Sequence, residues 1–174
     1  MSDHPDWLPD VLKYSKFNGD WGKFLDEVYT IFERDFKKSR VLYMGMPLTY
    51  DSRMIDGKEA VFWHITSKND MDTGKREPDI RRCERITWPK PIVEHSGDKN
   101  VSIWESQRKK TNSQRQTRIL IWLEHLDYIV VLAVRPRVVI LVTAYCTDFE
   151  SHKKKLKKER DDYYKMQKPP FLAT

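Results

Sequence analysis

Residues 117–146 read TRILIWLEHLDYIVVLAVRPRVVILVTAYC, and this stretch decides the fold. Three apolar runs, 117–123, 128–134 and 138–146, are joined by short polar connections at Glu124 to Asp127 and at Arg135-Pro136-Arg137. Connections this short link antiparallel neighbours, because a parallel return needs roughly a dozen residues. The runs therefore predict a β-meander. The last run is apolar on both faces and then ends in Thr143-Ala144-Tyr145. Strand alternation puts Thr143 and Tyr145 on one face with Val139 and Leu141. Hydroxyls in such a setting need partners, and the mouth of a sheet is where a substrate can supply them.

Upstream, Val101 to Trp104 reads as a short strand that runs into a basic hairpin loop, Gln107 to Gln116. Val41 to Thr49 is extended but interrupted by Gly45 and Pro47, the pattern of an edge strand. Val61 to Thr66 reads as a strand carrying His64 on the face of Phe62 and Thr66, opposite Val61, Trp63 and Ile65. Asp20 is set to cap a helix whose stripe is Phe24, Leu25, Val28, Ile31, Phe32 and Phe36. Pro78 to Trp88 predicts a second helix with Pro in its first turn, stopped by Pro89 and Pro91. Ser151 to Gln167 predicts a basic helix. The expected fold is α+β: N-terminal helices, a four- to five-stranded, mostly antiparallel sheet ending in the meander, and a basic C-terminal helix. One domain over 1–174 is expected, with 1–18 a loose arm and 168–174 a flexible tail.

Composition narrows the setting. The 39% hydrophobic content is enough for a folded core, while no apolar run approaches the length of a membrane span, so no membrane partner is expected. Cys83 and Cys146 lie in apolar surroundings with no metal or disulfide spacing and read as free thiols of a reducing compartment, the cytoplasm. The formal net charge of +6 is uneven, gathered in Arg81 to Lys90, Arg108 to Arg118 and Lys153 to Arg160. Clusters without a broad lipid-seeking face favour nucleic acid over membrane.

Three polar groups stand out from their apolar settings. His64 has the ordinary imidazole range that suits a proton acceptor near neutrality. Arg81, Glu84, Arg85 and Trp88 share a helical face, and a Glu84 partner would hold Arg81 and Arg82 as fixed guanidinium groups of the kind that bind phosphate. Thr143 and Tyr145 can position a phosphate or a ribose hydroxyl and pass a proton. For each group taken singly, a structural reading stands beside the chemical one: a satisfied core histidine, an ion pair, a rim tyrosine. The remaining histidines, His4, His95, His125 and His152, are scattered. No metal-ligand spacing, phosphate-binding loop or nucleophile elbow is present, so no metal and no cofactor is expected.

Taken in order, Phe62-Trp63-His64-Ile65-Thr66, Arg81-Arg82-Cys83-Glu84-Arg85-Ile86-Thr87-Trp88, Tyr128-Ile129-Val130-Val131-Leu132 and Thr143-Ala144-Tyr145 resemble the phage-associated branch of the barnase/colicin/RelE-like ribonuclease superfamily. The resemblance covers about Tyr43 to Arg160. It implies a helix-plus-antiparallel-sheet fold and RNA cleavage by attack of a ribose 2′-hydroxyl on phosphate. It further implies a toxin-like role in which an antitoxin or immunity protein acts as inhibitor. The catalytic set it implies is His64, Arg81, Arg85, Thr143 and Tyr145. Backbone contacts to RNA are expected from Arg82, Arg108, Lys109, Lys110, Arg115, Arg118, Lys153, Lys154 and Lys157. Two other readings remain open: a non-catalytic nucleic-acid-binding module on the same fold, and a basic protein that docks an acidic partner.

Overall fold

A computed structural model describes residues 3–109 and 114–167. After a 3₁₀ turn at Tyr14–Phe17 comes α1 (Trp21–Phe32), capped as expected by the Asp20 carboxylate, which accepts from the Lys23 amide at 3.0 Å. A π-helical turn, Glu33–Lys37, continues it. Next come β1 (Leu42–Tyr43) and β2 (Met46–Tyr50), then the small hairpin β3 (Met54–Ile55) and β4 (Lys58–Glu59). That hairpin turns on Asp56-Gly57, both at positive φ, the backbone that two-residue hairpins require. The sequence then forms α2 (Ala60–Thr66), the hairpin β5 (Ser67–Asn69) and β6 (Arg76–Pro78), α3 (Ile80–Glu84) and α4 (Pro89–Glu94). The meander follows as β7 (Ser102–Lys109), β8 (Arg115–Leu123), β9 (Tyr128–Val134) and β10 (Val139–Cys146), and α5 (Glu150–Gln167) comes last.

The main sheet has six strands in the order β1-β2-β10-β9-β8-β7. The four meander strands pair antiparallel, while β2 joins β10 in parallel through Leu48 to Tyr50. The sheet is therefore wider than the four or five strands expected, because 42–50 adds two strands to its edge. The α+β class stands.

The two faces are covered differently. Ile119, Ile121, Leu123, Tyr128, Val130, Leu132, Val139, Leu141 and Ala144 form one core with Phe24, Val28 and Phe32 of α1, Val61, Phe62 and Ile65 of α2, and Ile92 of α4. On the other face, Trp104, Leu120, Trp122 and Ile129 pack beneath Leu156 of α5. The Tyr164 hydroxyl of α5 binds both the amide and the carbonyl of Ile103 and so covers part of the outer edge of β7.

Several expectations are corrected. Residues 61–66 are helical, and their burial pattern (Val61, Phe62, Ile65 and Thr66 inside) is that of a helix face rather than a strand. The helix expected over 78–88 is confined to α3, with Asp79 as its cap, and Pro89 starts α4 at the position where a missing N–H costs nothing. Of the hairpin loop expected over 107–116, residues 107–109 and 115–116 are strand, since β7 and β8 stay paired out to Lys109 and Arg115, and 110–113 lie outside the described residues. Residues 7–14 of the segment expected to be a loose arm are held against the fold. Leu8 is buried, the Trp7 indole donates to Asp98, the Trp88 indole donates to the Pro9 carbonyl, and the Leu12 amide donates to the Glu84 carbonyl. The tail expected at 168–174 lies outside the described residues.

Candidate functional site

A slip in register shapes the site. The pairing of β10 with β9 shifts between Leu141 and Thr143, a bulge that leaves Val142 without a partner. Before it, Val139 and Leu141 point into the main core; after it, Ala144 does. Thr143 and Tyr145 are thereby turned to the opposite face from Val139 and Leu141, which corrects the simple alternation. Tyr145 packs against the cluster under α5.

Two hollows meet at this pair. One, of about 360 Å³, is lined by His64, Lys68, Arg76 and Arg82; the other, of about 230 Å³, by Arg108, Arg118, His152 and Lys155. Both include Thr143 and Tyr145. The Tyr145 hydroxyl hydrogen-bonds to Nε2 of His152 at 3.0 Å, with the two rings 5.7 Å apart. The Arg82 guanidinium lies 5.5 Å from the centre of the Tyr145 ring, a cation–π arrangement.

The sides of the cleft are built by the end of α2. Where β2 stops, at Tyr50 opposite Leu141, the edge of β10 is met by α2 instead, and the Thr143 hydroxyl donates to the His64 carbonyl at 3.1 Å. Arg82 donates to that carbonyl at 3.3 Å and also to the Ser67 carbonyl. Arg76 donates to the Ser67 hydroxyl, the Ser67 carbonyl and the Trp63 carbonyl. Two guanidinium groups thus satisfy the carbonyls at the C-terminal end of α2, where the helix dipole favours positive charge.

Electrostatics separate the basic residues that looked alike in sequence. Lys153 pairs with Asp127 at 2.6 Å and Lys157 with Glu124 at 3.2 Å, on the side of α5 away from Tyr145. Among the described residues no ion pair involves Arg108, Arg118, Lys155 or Arg76, and Glu159 is the one carboxylate among the residues lining the two hollows. Lys68 and Arg82 face Asp79 at 3.9 Å, so basic groups outnumber acidic ones in the cleft. Arg115, Lys109 and Lys154 are exposed outside it, and Lys110 lies outside the described residues.

Burial holds Tyr145 protonated above the usual phenol range, with Arg108 and Arg82 pulling the other way. Burial also lowers the His152 imidazole, reinforced by Lys155 and Arg108 and opposed by Glu159. His64 is lowered by burial and by Arg76.

Of the expected catalytic set, the structure brings His64, Thr143 and Tyr145 together but places neither Arg81 nor Arg85 in either hollow. Arg81 is paired to Asp148, and Arg85 stacks over Trp88 at 5.1 Å. Glu84 does not hold Arg81 or Arg82; its carboxylate accepts from the Tyr14 amide at 3.0 Å. The sequence reading missed His152, Arg76 and Lys155. A signal for His152 existed: a helix starting a few residues after Cys146 must lay its first turn over the strand end that carries Tyr145. Among the described residues no group of three or more His, Cys, Asp or Glu is placed to hold a metal, and no helix is long and apolar enough to cross a membrane. Comparison with protein-family models, curated proteins and solved structures finds no match to this chain.

Proposed function

We propose that the chain is an endoribonuclease that cuts RNA by attack of a ribose 2′-hydroxyl on the adjacent phosphate, without a protein-held metal. The observation that carries this reading is the pair Thr143 and Tyr145, shared by two cationic hollows, with Tyr145 hydrogen-bonded to His152. Arg108, Arg118 and Lys155 hold the scissile phosphate and offset the charge that grows on its oxygens. His64, neutral near pH 7 because burial lowers it, takes the 2′-hydroxyl proton. The 2′-oxygen bonds to phosphorus, the bond from phosphorus to the 5′-oxygen breaks, and Tyr145 gives its proton to that oxygen. His152, in the tautomer that donates from Nε2, steadies the tyrosinate until the proton held on His64 is passed through water back to Tyr145, which resets both groups. The products are a 2′,3′-cyclic phosphate and a 5′-hydroxyl. Arg82 and Arg76 position Tyr145 and the end of α2. The partners of this reading are RNA and, as the resemblance implies, an inhibitor protein, in the cytoplasm.

The test is RNA cleavage in EDTA by wild type, His64→Ala and Tyr145→Phe. Cyclic ends formed by wild type and lost in both variants support the enzyme. Intact RNA bound with strong salt dependence would leave the non-catalytic binding module instead.

A further inference from the structure

A second cavity, of about 250 Å³, lies beyond His64 and shares His64 and Arg76 with the cationic cleft. Its chemistry differs from the cleft's. Ile55, Trp63 and Pro78 give it an apolar wall, and Asp56 stands at its rim. Its walls are held in place. The Trp63 indole donates to the Ile55 carbonyl at 2.7 Å and meets the Phe62 ring edge-on at 5.2 Å between centres. The Arg76 guanidinium is pinned by Ser67, Trp63 and Asn69. Asp56 sits in the β3–β4 turn, exposed, and among the described residues no ion pair engages its carboxylate.

We infer that this cavity seats one unpaired nucleobase of the RNA strand, that of the nucleotide whose 2′-hydroxyl faces His64. The inference rests on the ribonuclease reading and deepens it. An apolar wall with an immobilised indole, which also carries the Lys58 ammonium 5.8 Å from its ring centre, and a fixed guanidinium suit an aromatic base. A rim carboxylate accepts hydrogen bonds from base N–H groups, and it disfavours a second phosphate there. Continuity decides the occupant: the hollow of Arg108 and Arg118 shares Thr143 and Tyr145 with the hollow of His64, and that one shares His64 and Arg76 with the cavity, so a strand laid along them meets Tyr145 and then His64.

The experiment uses short 2′-O-methyl RNA, which binds but cannot be cut, with an abasic nucleotide placed at each position in turn. A parallel unmodified RNA maps the cleavage site. With wild type, affinity falls about tenfold when the abasic position is immediately 5′ of the scissile phosphate, and changes little elsewhere. In Trp63→Ala, and in Ile55→Trp, which narrows the cavity from an exposed strand, that position-specific loss disappears. Salt-sensitive binding and cleavage with a flat abasic profile in wild type would overturn the base seat and leave the ribonuclease standing. Neither binding nor cleavage of any RNA by wild type would overturn both.

Discussion

The Tyr145 hydroxyl and the His152 imidazole meet at 3.0 Å across the short connection from β10 to α5, so the last strand and the last helix jointly own one proton-carrying group. Tyr145→Phe removes the hydroxyl and keeps the ring over Arg82. Cleavage should fall by about 10²-fold or more, with RNA affinity and thermal midpoint nearly unchanged. His152→Gln keeps a donor and should be milder. A drop in midpoint matching the loss of activity would assign the pair to the scaffold alone.

Both cleft histidines carry depressed pKa values, so their effect on stability has a definite sign. Between the unfolded imidazole value of about 6.5 and the lower folded values, the unfolded chain binds protons that the folded chain refuses. Stability should be full above that range and decline as pH falls through the folded values. Urea midpoints followed from about pH 7.5 to about pH 5 read this directly. The double variant His64→Gln/His152→Gln should show a shallower decline, and an unchanged slope would show that other groups set it.

Most of the meander was legible because alternation, turn chemistry and connection length agreed over residues 117–146. α2 was not, for a physical reason. A short apolar run with Val61, Ile65 and Thr66 has the composition of a strand and is too brief for its period to decide. The strand reading put His64 beside Phe62 and Thr66; in the helix, Phe62 and Thr66 are buried and His64 stands on the boundary. The turned face of Thr143 and Tyr145 was also hidden, because nothing in Leu141-Val142-Thr143 announces a bulge. Arg81 and Arg85 looked like phosphate ligands only while Asp148 and Trp88 were not known to be their partners. Arg76, in a polar loop of the sequence, became part of the site only when β5 and β6 folded it back against α2.

Charge in the cleft should matter more than charge elsewhere on the surface. Arg108→Ala, Arg118→Ala and Lys155→Ala should each weaken RNA binding and reduce the logarithmic salt slope by about 0.7. Lys153→Ala and Lys157→Ala, which break pairs with Asp127 and Glu124, should leave RNA affinity intact and change stability little. Fluorescence anisotropy at several salt concentrations separates the two groups, and equal effects from both would remove the cleft as the binding face.

The Tyr128 side chain is wholly buried, and among the described residues its hydroxyl has no hydrogen-bond partner. Tyr128→Phe should therefore be neutral or stabilising by up to about 1 kcal/mol in chemical denaturation. A loss of 2 kcal/mol or more, about the cost of an unmade buried bond, would reveal a partner for that hydroxyl.

Leu8 belongs to the same core as the sheet. Leu8→Ala should cost about 2 kcal/mol or more, whereas a free arm would register almost nothing. Denaturant midpoints decide between the two.

The clasp of residues 7–14 on residues 84–98 also orders events in time. Trp7 and its Asp98 partner are 91 positions apart in the chain, and Pro9 waits on Trp88. During synthesis, the early segment emerges with its apolar side chains bare and must stay so until the arginine-bearing helix and its successor have been made. Such distant closures are slow to find, because the loop entropy must be met before any contact rewards it. Residues 7–14 are therefore made long before the elements that hold them, and a nascent chain halted before Trp88 lacks the hydrogen-bond partners of both Trp7 and Pro9.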